Sequence, residues 1–143
     1  MIDQLLTTKL YIPPVRPSRV SRPRLLQRLD EGLSQGVRLT LVSGPAGFGK
    51  TTLLAEWVSQ KAEGRRMKAE SGESLHPFQV AWLSLDEHDG DLARFWSYVI
   101  AALQTVQAEV GQAAQAMLRA TPPAPIEAVL TSLINDAAAR LPS

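Results

Sequence analysis

The stretch that most constrains this chain is GPAGFGKTT, Gly44 to Thr52. Gly44, Pro45, Gly47 and Gly49 lie between an apolar run of β-formers, Val37 to Ser43, and a run with Leu53, Leu54, Trp57 and Val58 at helical spacing. From Gly44 to Thr51 the residues match G-x-x-x-x-G-K-[ST] in the order strand, loop, helix. A polyphosphate wrapped by successive backbone N–H groups leaves little room for Cβ atoms, which accounts for the glycines. The start of the following helix adds a partial positive charge. In such a loop the lysine, here Lys50, reaches the β- and γ-phosphates, the Thr51 hydroxyl ligates Mg²⁺, and Thr52 is placed at the α-phosphate. The candidate nucleotide contacts are therefore Gly44, Pro45, Ala46, Gly47, Phe48, Gly49, Lys50, Thr51 and Thr52, with Lys50 as the catalytic candidate and Thr51 as the metal-holding one. The less specific alternative is a plain glycine turn between two elements.

The rest of the chain supplies the expected context. Residues 1–21 read as an extended arm, because Pro13, Pro14 and Pro17 oppose helix and sheet alike. From residue 22 the chain reads as the N-terminal portion of a nucleotide-binding domain. Arg22 to Gly32 predicts a helix with Leu25, Leu26 and Leu29 on one face and Gly32 able to end it. Val37 to Ser43 predicts a strand, and Lys50 to about Lys61 a helix. Residues 61–79 are polar, with Gly64, Gly72 and Pro77 and no sustained period, and read as a mobile insertion. Val80 to Asp86, VAWLSLD, predicts a buried strand, after which Asp89 or Asp91 can cap a helix. That helix carries an apolar stripe of Leu92, Phe95, Trp96, Val99, Ile100, Leu103 and Val106. Its continuation toward Ala120 is interrupted at Gly111, and TPPAP separates it from a last amphipathic helix through Ile126, Val129, Leu130, Leu133 and Ile134. Strands alternating with helices predict an α/β fold of P-loop NTPase type, a three-layer α/β/α parallel sheet. Only two strands are convincing, so the sheet is expected to be partial, as in a truncated domain.

Composition narrows the function classes. With 15 basic and 14 acidic residues the net charge is +1, and no global field points to nucleic acid or a membrane surface. The absence of cysteine excludes disulfides and thiolate metal sites. The N-terminus, with Asp3 and no apolar core, is not a signal peptide, and no apolar run approaches the roughly 18 residues of a membrane span. A cytoplasmic location follows as the expectation.

Three segments together resemble one family: KLYIPPVRPSRVSRPRLLQRL ahead of the loop, SGPAGFGKTTLLAEW at it, and VAWLSLDEHDGDLARFWSYVIAAL after it. They are similar to the LuxR-type large ATP-binding, MalT-like transcriptional regulators. The resemblance implies a signal-transduction ATPase whose N-terminal nucleotide switch precedes a helical repeat sensor and a C-terminal helix-turn-helix that binds promoters. ATP with an inducer would favour self-association, and hydrolysis would reset the switch. ATP and Mg²⁺ are the implied cofactors, and DNA is a partner only through the C-terminal domain. The resemblance also assigns the segment from Val20 to Arg24 to the adenine, with Val20 and Arg22 as candidate contacts. The family's second acidic motif, an apolar strand ending in paired aspartates, is expected just beyond Leu141, where this sequence ends in LPS; the chain therefore reads as a fragment or truncated product. In the family Asp86 would lie far from Thr51, because the first strand after the loop occupies the far edge of the sheet.

Two rival readings stay open. In a small P-loop kinase or ATPase, Asp86 would be the acidic residue holding Mg²⁺ through water, and Val80–Leu85 would pair beside Leu39–Ser43. In a helical interaction module the loop would be kept without being used. Arg16, Arg19, Arg22, Arg24 and Arg28 form a basic stretch that suits a solvated surface, a lid over nucleotide, or a DNA-contacting arm. His76 and His88 have no second histidine at ligand spacing and read as solvated loop residues. Phe95, Trp96 and Tyr98 could stack on bases, but Phe95 and Trp96 fit the apolar stripe and favour core packing.

Overall fold

The computed structural model describes residues 4–72 and 78–141. His76 and Pro77 lie outside the described residues. Five α-helices form within them: α1 (Pro23–Ser34), α2 (Lys50–Glu70), α3 (Leu92–Gln104), α4 (Gln112–Arg119) and α5 (Ile126–Arg140). Short 3₁₀ turns at Thr7–Leu10 and Glu87–Gly90 add to them, the first inside the arm expected to be extended throughout. The chain divides into two compact units, Pro13–Phe78 and Met1–Ile12 with Gln79–Ser143. Among the described residues no helix is long and apolar enough to cross a membrane.

No strand forms among the described residues, which overturns the expected α/β P-loop NTPase architecture with its three-layer parallel sheet. The physical reason is pairing. A strand is held by ladder bonds to a neighbour, and without one its N–H and C=O groups fall to water or to local turns. Val37–Ser43 and Val80–Asp86 enter no ladder; the second is tied instead by the Ser84 N–H donating to the Lys9 carbonyl at 2.9 Å. Leu39 and Leu41 are each 86% exposed, the reverse of a buried strand. β-propensity reports how well a side chain fits a half-buried pleated surface, and no such surface forms among the described residues.

In the Pro13–Phe78 unit, α1 opens with Pro23 at its first position, where a missing N–H costs nothing. It runs past Gly32 and is ended by Gly36, whose φ of +70° only glycine adopts without strain. The Val37 N–H then bonds the Gly32 carbonyl at 2.9 Å and the Gly36 N–H bonds that of Leu33 at 3.1 Å, the two bonds of a Schellman motif. Leu26 on α1 and Leu53, Ala55 and Val58 on α2 are buried. The pair is pinned by Asp30, which accepts from Trp57 Nε1 at 2.7 Å and meets Lys61 Nζ at 2.6 Å. Burial alone would raise the Asp30 pKa, but these two bonds outweigh it and hold the carboxyl below its ordinary value. Helix α2 continues nine residues beyond Lys61, through a segment expected to be loop. Lys, Ala, Glu, Arg and Met are strong helix formers, and over this stretch they outweigh one glycine and the missing apolar period. Arg65 caps the Phe78 carbonyl at 2.8 Å, and Phe78 meets Trp57 edge to face at 6.0 Å.

In the other unit α3, α4 and α5 enclose a core of Ile100, Val110, Ala114, Val129 and Leu133, with Trp96, Leu103 and Met117 packed against it. Each large side chain so buried contributes about 1.5–3 kcal/mol relative to exposure. Asp91 caps α3 by accepting from the Arg94 N–H at 2.8 Å. Asp86 and Asp89 cap the preceding 3₁₀ turn reciprocally, through the His88 and Asp86 N–H groups at 2.8 and 2.9 Å.

Candidate functional site

The predicted loop folds as a turn at Ala46–Gly47 leading straight into α2. Gly47 and Gly49 have φ of +82° and +78°, a region a side chain resists, so the pattern's second glycine, Gly49, and Gly47 at one of its variable positions are demanded by backbone shape. Gly49 is the N-cap of α2, and the helix begins with no side-chain cap and no acidic residue in its first turn. The N–H groups of Lys50, Thr51 and Thr52 have no carbonyl within the helix to reach, and they carry the positive end of the helix dipole. Thr51 and Thr52 are exposed. Lys50 turns back over the loop, its Nζ donating to the Gly44 and Pro45 carbonyls at 2.5 and 3.0 Å. An ammonium held among carbonyls at the mouth of an uncapped helix is a group available to an anion.

Beside the loop lies a cleft of about 280 Å³, lined from the arm by Arg16, Ser18, Arg19, Val20 and Arg22 and from the loop and helix by Gly47, Phe48, Gly49, Thr52, Leu53 and Glu56. Six predicted residues thus share one cavity: Val20, Arg22, Gly47, Phe48, Gly49 and Thr52. Gly44, Pro45, Ala46, Lys50 and Thr51 are outside its lining, on the rest of the loop and first turn. Arg22 sits at the loop backbone: a Cβ built on Gly49 would lie 3.8 Å from its Nη2. Val20, on the lining of the same cleft, is 81% exposed.

Sequence reasoning missed Glu56. It is 2% exposed, and one of its oxygens, Oε1, receives Ser21 Oγ at 3.0 Å, Arg19 Nε at 3.2 Å and Gln60 Nε2 at 3.4 Å. A signal was present: Glu56 falls three residues after Leu53, on the face that packs, and a carboxylate there must find partners.

The rival site residues have other work in their own unit. Asp86, besides its capping bond, meets Lys9 Nζ at 2.8 Å, and the same ammonium meets Asp89 at 2.6 Å. The hydrogen bonds from Lys9 and the His88 N–H hold the Asp86 carboxyl down to about 2. Hydrogen bonds from Lys9 and from the Asp86 backbone N–H likewise keep Asp89 low, and the two carboxylates raise Lys9 above its ordinary value. His88 is largely exposed, with Nδ1 3.3 Å from Asp86. Tyr98 is fully buried; its hydroxyl accepts the Leu6 N–H at 3.1 Å and its ring lies under Lys9 Nζ at 5.0 Å, so it is no platform for bases. Among the described residues no group of three or more His, Asp or Glu side chains is placed to hold a metal ion.

No protein-family model matches the chain, and no solved structure matches it. Curated relatives do. The HTH-type transcriptional regulator MalT of Serratia proteamaculans is 41% identical over 100 residues, which is 70% of this chain and 9% of that protein. The MalT of Klebsiella pneumoniae strain 342 is 32% identical over 134 residues, 94% of this chain and 13% of that protein. The MalT of Cronobacter sakazakii is 38% identical over 100 residues, again 70% and 9%. The chain therefore spans about a tenth of the length of the curated relatives it matches, and over that stretch it belongs to the MalT-like transcriptional regulators.

Proposed function

We propose that this chain is the nucleotide-binding part of a MalT-like regulator, and that Gly44–Thr52 holds the phosphate chain of ATP. The observation that carries the reading is the loop itself: two left-handed glycines deliver an uncapped helix start, with Lys50 poised beside it and arm arginines lining the adjoining cleft. An anion at this point would satisfy N–H groups that have no helical acceptor and would meet the positive end of α2. Lys50 would exchange its two loop carbonyls for phosphate oxygens, and Val20 and Arg22 would flank the nucleoside side of the cleft.

The residues fit a magnesium ion in a limited way. The exposed Thr51 hydroxyl is one hard oxygen ligand, and Mg²⁺ takes the rest of its octahedron from phosphate and water. The ion would screen phosphate charge; the chain would contribute position. Self-association on ATP binding belongs to the same proposal, as does assignment of DNA contact to the regulator's helix-turn-helix and not to these near-neutral residues.

Isothermal calorimetry with Mg-ATP on the 143-residue chain and on Lys50→Ala tests the reading. A charge-assisted bond is worth about 1.5–3 kcal/mol, so the variant is expected to bind at least about tenfold more weakly. Equal affinity, or no binding to the wild type, would favour the helical interaction module that keeps the loop unused, a reading in keeping with the absence of strands among the described residues.

A further inference from the structure

The structure assigns Glu56 a positioning role: it latches the arm to α2, so that nucleotide affinity depends on a carboxylate that touches no phosphate. This rests on the nucleotide reading above. The geometry is a clasp between two parts of one unit. Glu56 stands six residues after Lys50 on the same helix, about 9 Å along a rigid rod. Its Oε1 receives both Ser21 Oγ and Arg19 Nε from the arm, and Gln60 supports it from the next turn. Whatever fixes the arm to Glu56 fixes it relative to the phosphate loop.

The charges divide unevenly among the arginines of the cleft. Arg19 is neutralised by Glu56, whereas among the described residues Arg16 and Arg22 have no acidic partner. Docking the arm thus brings two uncompensated guanidiniums to the loop. Undocking it must rehydrate a carboxylate that is 2% exposed when docked. A polyphosphate that contacts both the loop and the arm binds the docked state better, and its apparent affinity falls with any fraction of the chain left undocked.

Trypsin reads the latch directly. Cleavage after Arg19 requires its side chain to leave Glu56 and enter the protease, whereas the Arg16–Pro17 and Arg22–Pro23 bonds resist trypsin because proline follows. Glu56→Gln is expected to raise the undocked-to-docked ratio about tenfold, the size of one charge-assisted bond, read as faster cleavage at Arg19–Val20 and weaker Mg-ATP binding whose two fold-changes multiply to about ten. Cleavage at Arg28–Leu29, inside α1, serves as the internal control and should not change, because a merely destabilised protein would be cut faster at both. Ser21→Ala, on the exposed arm, should shift both readouts in the same direction by less. Lys50→Ala should weaken Mg-ATP while leaving nucleotide-free cleavage at Arg19–Val20 as in the wild type. Unchanged Arg19–Val20 cleavage in both latch variants, or unchanged Mg-ATP affinity in both beside a wild type that binds, overturns the proposal. A wild type that binds no Mg-ATP overturns the nucleotide reading and the coupling together. The cleavage difference then shows that the ligand, not the latch, was misassigned.

Discussion

Replacing Gly111 by alanine tests the helical core through two effects that the structure separates. Gly111 has φ of +74°, and it is the N-cap of α4. Holding an L-residue in the left-handed region costs roughly 1–2 kcal/mol. A Cβ built there would also lie 2.9 Å from Ile100 Cγ2 and 3.0 Å from Leu133 Cδ1, both core side chains. Overpacking of this kind costs about 1–3 kcal/mol. The lower entropy of the unfolded alanine chain returns about 0.4–1 kcal/mol. The net expectation is a destabilisation of about 1–5 kcal/mol, with about 3 as the central value. Two controls dissect it. Gly36 has φ of +70° with nothing within 4 Å of a Cβ, so Gly36→Ala should show the backbone strain alone. Gly90, in the same unit as Gly111, has neither positive φ nor a neighbour within 4 Å, so Gly90→Ala should be near neutral. Urea denaturation followed by circular dichroism gives the energies, and hydrogen exchange localises the loss to α3, α4 and α5. If Gly111→Ala costs no more than Gly36→Ala, the close packing of Gly111 against Ile100 and Leu133 is refuted.

The Lys9–Asp86–Asp89 cluster should make stability depend on pH at both ends. The folded Asp86 carboxyl is lowered from 3.8 to about 2, so its contribution is present above 3.8 and is lost as pH falls toward 2. Lys9 is raised above 10.5, so its contribution is present below that value and lost as pH rises past it. Acid unfolding of Asp86→Asn should show a shallower loss over the lower window, Asp89 still contributing, and a wild-type slope would contradict the assignment. Turnover should be slow: among the described residues lining the cleft Glu56 is the only carboxylate, and Arg19 and Ser21 occupy it. Lys50-dependent phosphate release at about 1 s⁻¹ or faster would show that a metal-holding acid is present after all.

Helix positions were readable because their causes are local. The stripe from Leu92 to Leu103 became α3, the Pro-rich break ended where Ile126 opens α5, and Asp91 capped where a capping residue was due. Gly111 was legible as an interruption for the same reason, since a left-handed residue is a property of one position. Misjudged boundaries had local competitors. Gly32 lies inside α1 because Gly36 completes a better C-terminal motif, and α2 extends to Glu70 because propensity summed over the nine residues beyond Lys61 outweighs one glycine.

The sequence by itself determined the family, the glycine loop with Lys50 and the threonines after it, and the helices whose apolar faces repeat every three to four residues. All of these are encoded in neighbouring positions. Tertiary structure alone decided whether Val37–Ser43 and Val80–Asp86 become strands, since a strand exists only with a partner to complete its hydrogen bonds. It likewise decided that Asp86 is engaged by Lys9, seventy-seven residues earlier, and that Glu56 gathers Arg19 and Ser21 from the arm. Such pairings depend on which surfaces meet and exclude water, and no periodicity in a chain records the distant residue that will neutralise a buried charge.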